Sequence, residues 1–293
     1  MKTLTSLLLL ALLPTIALAD KVELRTPNNS FVVELNKGAE PQFLYYGPAL
    51  KSQDIENLEK ANDANWSRAD LYPTYGATHT QNEICLAMRH ADGNMSTQML
   101  IDSWEESNLS DLAPNGAKRA GQLLTITLSD PLYPVTVHLY YLAYDDVDII
   151  ESWTDITNGE KKTVTLTQFY NPLLPVRRGN VYWTHFNGSW ASEGQLIELP
   201  LQNGLAEVKN KDGLRNAATD RSDIMLSLDG PARENDGDVI AAALCYSGNF
   251  RITIDTDESD YHQYFAGINP DNSEYHLKRG ETFTTPHSAY SYS

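Results

Sequence analysis

The sequence predicts an all-β fold, a large antiparallel β-sandwich, and three observations carry that prediction. At least fourteen short segments rich in β-branched and aromatic residues follow one another, separated by turn formers. Several alternate apolar and polar residues, the period of two that marks a strand with one buried face. No segment carries a convincing long amphipathic helical pattern, so two packed sheets, larger than an immunoglobulin-type domain, are expected.

The chain opens MKTLTSLLLLALLPTIALAD, where Lys2 supplies a charged n-region, Leu4 to Leu13 an apolar stretch and Ala17-Leu18-Ala19 a small-residue cleavage box. Residues 1–19 are therefore expected to be a signal peptide, with a soluble product secreted or periplasmic. No later run approaches the roughly 18–20 apolar residues that a spanning helix needs, so no membrane role is expected. About 270 of the 293 residues remain, enough for one large all-β domain or two ordinary ones.

Lys21 to Glu34 reads as two strands around the turn Pro27-Asn28-Asn29-Ser30, and Phe43 to Tyr46 adds a third, closed by Gly47-Pro48. The polar stretch 51–70 holds a short helical turn at best and is expected to be a long loop. Trp66 within it either contacts a ligand or partner or pins the loop to the sandwich. Leu71 to Gly76 is a rigid aromatic turn before the strand Ile84 to Met88. QLLTITLS and YPVTVHLYYLAY alternate on either side of Asp130-Pro131, a hairpin signal, and Asp145-Asp146 turns the chain into VDIIESWTDITN. KKTVTLTQFYNPLLPV, LAEVK and RSDIMLSL continue the succession of strands. In the final block, AALCYSGNFRITID and the tyrosine-rich run to Ser293 read as strands and turns, with Tyr290 and Tyr292 alternating with serines on what is expected to be an exposed sheet edge.

A net charge of -17 and a pI near 4.7 argue against nucleic acid or an anionic membrane as partner. Cys85 and Cys245 are the only cysteines: one long-range bridge is compatible with an oxidising compartment, and the alternative is that each is a small buried hydrophobe. Five N-x-Ser sequons begin at Asn28, Asn65, Asn94, Asn108 and Asn187.

Recognised catalytic patterns are missing: there is no H-E-x-x-H, G-x-S-x-G, P-loop, dinucleotide fingerprint or zinc-type cysteine spacing. Seven scattered histidines define no metal site, and no cofactor is expected. Asp145, Asp146, Asp148 and Glu151 form the densest carboxylate group, but Val147 and Ile149-Ile150 among them look like core positions, so a solvated turn is favoured over a hydrolytic pair. The run VYWTHFNGSWASEG gathers His185, Trp190 and Glu193, which together would suit an apolar sugar face with hydroxyl hydrogen bonds; the alternative places the tryptophans in a core or interface.

Tyr246-Ser247-Gly248-Asn249-Phe250, Ala266-Gly267-Ile268-Asn269-Pro270 and Leu277 to Pro286 stand in one order with Tyr72-Pro73-Thr74-Tyr75-Gly76, Asp92-Gly93 and Gly188-Ser189-Trp190. With these motifs the chain resembles the N-terminal domain of the bacterial-type α-galactosidases of glycoside hydrolase family 36, over essentially all of residues 20–293. The resemblance implies a β-supersandwich that in complete enzymes precedes a catalytic (β/α)8 barrel carrying both catalytic aspartates, so no residue here is expected to be catalytic. It also implies that loops of this domain close over the barrel's galactoside pocket and support homo-oligomer contacts. Asp54 and Trp66 then fall near a galactosyl group, with Trp190 a further substrate-binding candidate. His79-Thr80-Gln81, Ser192 to Gln195 and Asn216 to Thr219 depart from the family's usual residues. A reading of another class is an autonomous exported carbohydrate-binding module built on Trp66 or Trp190.

Overall fold

The computed structural model describes residues 20–58, 70–77, 83–112, 116–172, 174–215 and 219–293. The expected meander opens the fold: β1 (Asp20–Arg25), β2 (Asn29–Leu35) and β3 (Gln42–Pro48) pair antiparallel in chain order. A short helix α1 (Ser52–Glu56) follows, held to β1 by the Lys21 ammonium, which donates to the carbonyls of Glu56 (2.7 Å) and Leu58 (2.6 Å). After β4 (Leu86–Arg89), four long strands run up and down: β5 (Leu100–Leu112), β6 (Lys118–Ser129), β7 (Val135–Tyr144) and β8 (Ile150–Asn158).

The rest of the chain supplies β9 (Val164–Phe169), β10 (Leu174–Arg177), β11 (Tyr182–Ser189), β12 (Ser192–Pro200), β13 (Gly204–Lys209) and β14 (Asp220–Ser227). It ends with β15 (Val239–Cys245), β16 (Phe250–Thr256), β17 (Tyr261–Ile268), β18 (Tyr275–Leu277), β19 (Thr282–Thr284) and β20 (His287–Tyr292). One layer is a single ten-stranded sheet in the order β12-β11-β14-β15-β20-β8-β7-β6-β5, with β19 also paired to β8. The facing layer consists of three smaller sheets, β1-β2-β3, β10-β17-β16-β13 and β18-β9-β4. Contacts of β1 with β6 and β7, of β3 with β20 and of β16 with β14 bring the layers together.

Alternation explains why these strands sit as they do. In β7, Val135, Val137, Leu139 and Tyr141 point into the core while Thr136, His138 and Tyr140 remain half-exposed on the other side. β8 repeats the pattern, with Ile150 and Ile156 inward and Glu151, Trp153 and Asp155 outward. The inward residues of both layers form one continuous hydrophobic cluster, the arrangement expected of a sandwich. Burying each large aliphatic side chain contributes about 1.5–3 kcal/mol. The outer face of the large sheet has no covering layer among the described residues, as antiparallel sheets allow.

Two sequence expectations change, the place of the last strand and the burial of Cys245. The last strand is not an exposed edge: β20 lies in the middle of the large sheet, between β15 and β8, with Tyr290 and Tyr292 buried at 3% and 8% exposure. Its partners lie far away in the sequence, so alternation alone left the strand looking unpaired. Cys85 and Cys245 are not bridged to each other. Cys85 is buried as a small hydrophobe, but Cys245, at the end of β15 and facing outward, is exposed. Among the described residues no helix is long and apolar enough to cross a membrane.

The acidic turn after β7 has a structural task. Asp148 accepts hydrogen bonds from the Asn28 backbone N–H (2.7 Å), the Asn28 amide (2.7 Å) and the Thr26 hydroxyl (2.9 Å), which fastens the β1–β2 turn to the large sheet. The Asn28 amide bond is the main cause that holds this carboxyl below its ordinary range. At Gly121, backbones approach so closely that a Cβ would lie 1.9 Å from the Ala143 carbonyl oxygen, so no other residue fits there.

Two outcomes are expected. Leu139→Ala, at a fully buried site, should lower stability by about 2–5 kcal/mol, read as a fall in the urea midpoint. Asp148→Ala should cost about 1 kcal/mol at neutral pH, after allowing for solvent screening. Because the folded carboxyl is depressed, its contribution is present above the unfolded value of about 3.9 and is lost as pH falls through the lower folded value. The gap between Asp148→Ala and the parent should therefore close on acidification, and a gap unchanged at pH of about 2 would refute this role.

Candidate functional site

The residues singled out from the sequence stand on separate elements, and one of them lies outside the described residues. Asp54 sits exposed in α1, where its carboxylate accepts a hydrogen bond from the Lys51 backbone N–H (3.3 Å) at the start of its own helix. Trp66 lies outside the described residues. Trp190 occupies the tip of the β11–β12 hairpin and is 90% exposed. Its loop partner Ala191 adopts a positive φ of 59°, and Glu193 steadies the turn by accepting from the Ala191 N–H at 3.0 Å.

Of the two readings of His185, Trp190 and Glu193, the shared pocket is not formed, while Trp183 is buried and Glu193 satisfies nearby backbone as the alternative had it. Strand alternation sends His185 inward, 9% exposed, where its ring stacks on Trp183 at 4.5 Å. Burial lowers its pKa, so the ring is kept neutral at physiological pH. Glu193 serves its own turn, and Trp190 stands exposed at the tip.

A different constellation stands on the outer face of the large sheet, and register assembles it. Tyr140 of β7 pairs with Trp153 of β8, and Cys245 of β15 pairs with His287 of β20. Ser288 pairs with Ser152, which sets His287 level with Trp153. The rings stack as a ladder: Tyr140 to Trp153 at 4.9 Å and 9°, then Trp153 to His287 at 4.6 Å and 5°. The Arg119 guanidinium of β6 lies 5.0 Å from the centre of the Trp153 ring, a cation–π contact.

Glu151, two residues before Trp153 and on the same face, organises the polar part. It accepts from the Tyr144 hydroxyl (2.7 Å), from Arg119 Nε (3.2 Å) and from His287 Nδ1. Burial by itself would raise the Glu151 carboxyl, but the bonds from His287 and Tyr144 and the charge of Arg119 outweigh it and leave the group below its ordinary range. An ionised carboxylate only accepts, so His287 Nδ1 carries the shared proton, and in the neutral ring Nε2 is an acceptor. Burial, then Glu151, pushes the Tyr144 hydroxyl up to about 12, so it remains a donor. Burial and the Glu151 charge also raise the Cys245 thiol, which stays protonated at neutral pH.

Beside this network a cleft of about 580 Å³ opens between β15, β19 and β20, walled by Tyr246, Ile268, Phe283 and Pro286, with Arg119, Glu151, Cys245 and His287 at its polar end. That volume lies within the range of small-molecule sites. Sequence reasoning took Glu151 as part of an acidic turn and assigned nothing to Arg119, Trp153 or His287. The available signal was Trp153 on the polar phase of an alternating strand, where a large aromatic is unexpected. Among the described residues no group of three His, Cys, Asp or Glu side chains is placed to hold a metal ion.

Comparison with known proteins gives this fold its family. The model for the glycosyl hydrolase family 36 N-terminal domain matches residues 39–278. Alpha-galactosidase AgaA of Geobacillus stearothermophilus is 23% identical over 290 residues, which cover 92% of this chain and 39% of that protein. The bifunctional alpha-galactosidase/sucrose kinase AgaSK of Mediterraneibacter gnavus is 28% identical over 227 residues, 76% of this chain and 24% of that protein. The crystal structure of AgaA superimposes with a TM-score of 0.81 at 23% identity, covering 94% of this chain and 40% of the other; the galactosidase domain of AgaSK gives 0.82 at 24%, covering 92% and 40%. This chain thus spans about two fifths or less of the curated relatives it matches. With the family model matched across most of the sandwich, the chain belongs to the glycoside hydrolase family 36 N-terminal domain.

Proposed function

We propose that this chain is the non-catalytic N-terminal β-domain of an α-galactosidase, supporting a catalytic (β/α)8 barrel and forming part of the rim of its galactoside pocket. The observation that carries the reading is the family match over residues 39–278, together with relatives that are α-galactosidases and extend well beyond the matched part. One of those relatives has been crystallised with raffinose. Two exposed elements suited to contact with a barrel or a second subunit are α1 with Asp54 and the hairpin bearing Trp190. Trp66, which follows α1 in the chain, belongs to the same proposed rim.

Residues 1–19 act in this reading as an export signal, so the domain works in the periplasm or outside the cell. Nothing in the acidic surface favours nucleic acid, whereas a neutral galactoside is indifferent to it.

Purified residues 20–293 should release no nitrophenol from an aryl α-galactoside. Substituted for the corresponding domain of the Geobacillus stearothermophilus enzyme, they should support hydrolysis that depends on the barrel. Turnover by the isolated domain, abolished by a substitution within it, would overturn the assignment. In an active chimera, Trp190→Ala should leave stability within about 0.5 kcal/mol, because the side chain is solvent-exposed, while raising KM or weakening subunit association. Unchanged kinetics and unchanged assembly would remove Trp190 from the rim.

A further inference from the structure

We propose that the cleft at the His287 end of the aromatic ladder is a binding site for a neutral pyranose, separate from the proposed rim at α1 and the Trp190 hairpin. The choice of a sugar as ligand rests on the α-galactosidase reading; the site itself rests on its geometry.

The walls supply flat apolar surfaces in Tyr246 and Phe283, suited to the C–H face of a sugar ring. The polar end supplies a matched acceptor and donor. His287 is oriented by Glu151 through Nδ1, which leaves the Nε2 lone pair for a hydroxyl proton. Arg119 donates from Nε to Glu151 and faces Asp111 through Nη1 at 3.6 Å, so its charge is balanced where it lines the cleft. The guanidinium lines the same polar end as His287, so it can donate to a second hydroxyl, and adjacent hydroxyls on a ring present this pairing.

Charge decides against an anion. Glu151 balances Arg119, and Asp111 and Asp155 stand close by: Asp155 accepts from the Tyr140 hydroxyl at 3.3 Å and from the Thr284 hydroxyl at 2.5 Å. A phosphate or carboxylate would meet net negative potential there. The purely structural alternative is that the network only stiffens the outer face. It leaves unexplained why an arginine and a glutamate, each with its side chain 13% exposed, line an open apolar cleft.

Cys245 provides the reporter, because it lines the cleft and is exposed, while Cys85 is buried and serves as an internal control. Alkylation of the full chain by iodoacetamide, followed by mass spectrometry, is measured with galactose, glucose, mannose or linear sorbitol. A bound hexose should slow Cys245 labelling about fivefold once its concentration reaches about four times its dissociation constant, by simple occupancy. His287→Ala should abolish protection with Cys85 still inert. Calorimetric binding should also vanish in Cys245→Trp, which fills the cleft from an exposed position and so does not depend on the fold tolerating loss of the Glu151 partner. Failure of all three hexoses to protect the parent chain would overturn the site, as would equal protection by sorbitol or protection undiminished in His287→Ala. If the galactosidase chimera is active while no hexose protects, the cleft is refuted and the domain assignment stands. If glucose or mannose protects and the chimera is inactive, the cleft stands and the assignment falls.

Discussion

The large sheet depends on the insertion of one strand, β20. Without it the sheet would be two antiparallel units: β5 to β8 on one side and β11, β12, β14 and β15 on the other. β20 pairs with both, and the backbone of Ser293 exchanges hydrogen bonds with that of Val239 (2.8 and 3.0 Å). The strand also places Tyr290 and Tyr292 in the core, where the rings of Tyr264 and Tyr46 meet them edge-on. Bare edges at β15 and β8 would otherwise expose unpaired N–H and C=O groups, an invitation to aggregation. Bringing such distant segments together costs chain entropy, but that cost rises only slowly with loop length, so the buried tyrosines and two ladders of hydrogen bonds offset it.

The same insertion creates the outer-face network. His287 is the first residue of β20, and its register against β8 and β15 sets it between Trp153 and Cys245. Glu151 then ties β20 to β6 and β7 through His287, Arg119 and Tyr144. Core and outer face are therefore coupled: the pairing that buries Tyr290 also orients His287, because residues three apart on a strand point to opposite faces. By contrast, α1 and the Trp190 hairpin project from the sandwich and contribute little to its core, which suits surfaces that meet another domain.

Much of the sandwich was legible in the chain. The β1–β3 meander, the β6–β7 hairpin at Asp130-Pro131 and the structural nature of the Asp145–Asp148 turn all follow from alternation and turn chemistry, which are local properties. The family motifs likewise identified the domain, since they lie at fixed places along the chain. The site was less legible. Trp190 was read either as a sugar platform or as a core or interface residue, with His185 and Glu193 grouped with it on sequence proximity; the hairpin leaves Trp190 exposed, and alternation turned His185 into the core.

What the sequence by itself determined is the β character of the segments, the positions of many turns and the family to which the domain belongs. Only the tertiary structure decided that the terminal strand is central rather than an edge, and that Arg119, Glu151, Trp153, Cys245 and His287 share one face. The reason is physical: a strand's alternation states that it has two faces, but it carries no label for its partner. Partner and register are chosen by the packing of the whole core, and shifting β20 by a single residue would exchange its buried tyrosines for His287 and its neighbours.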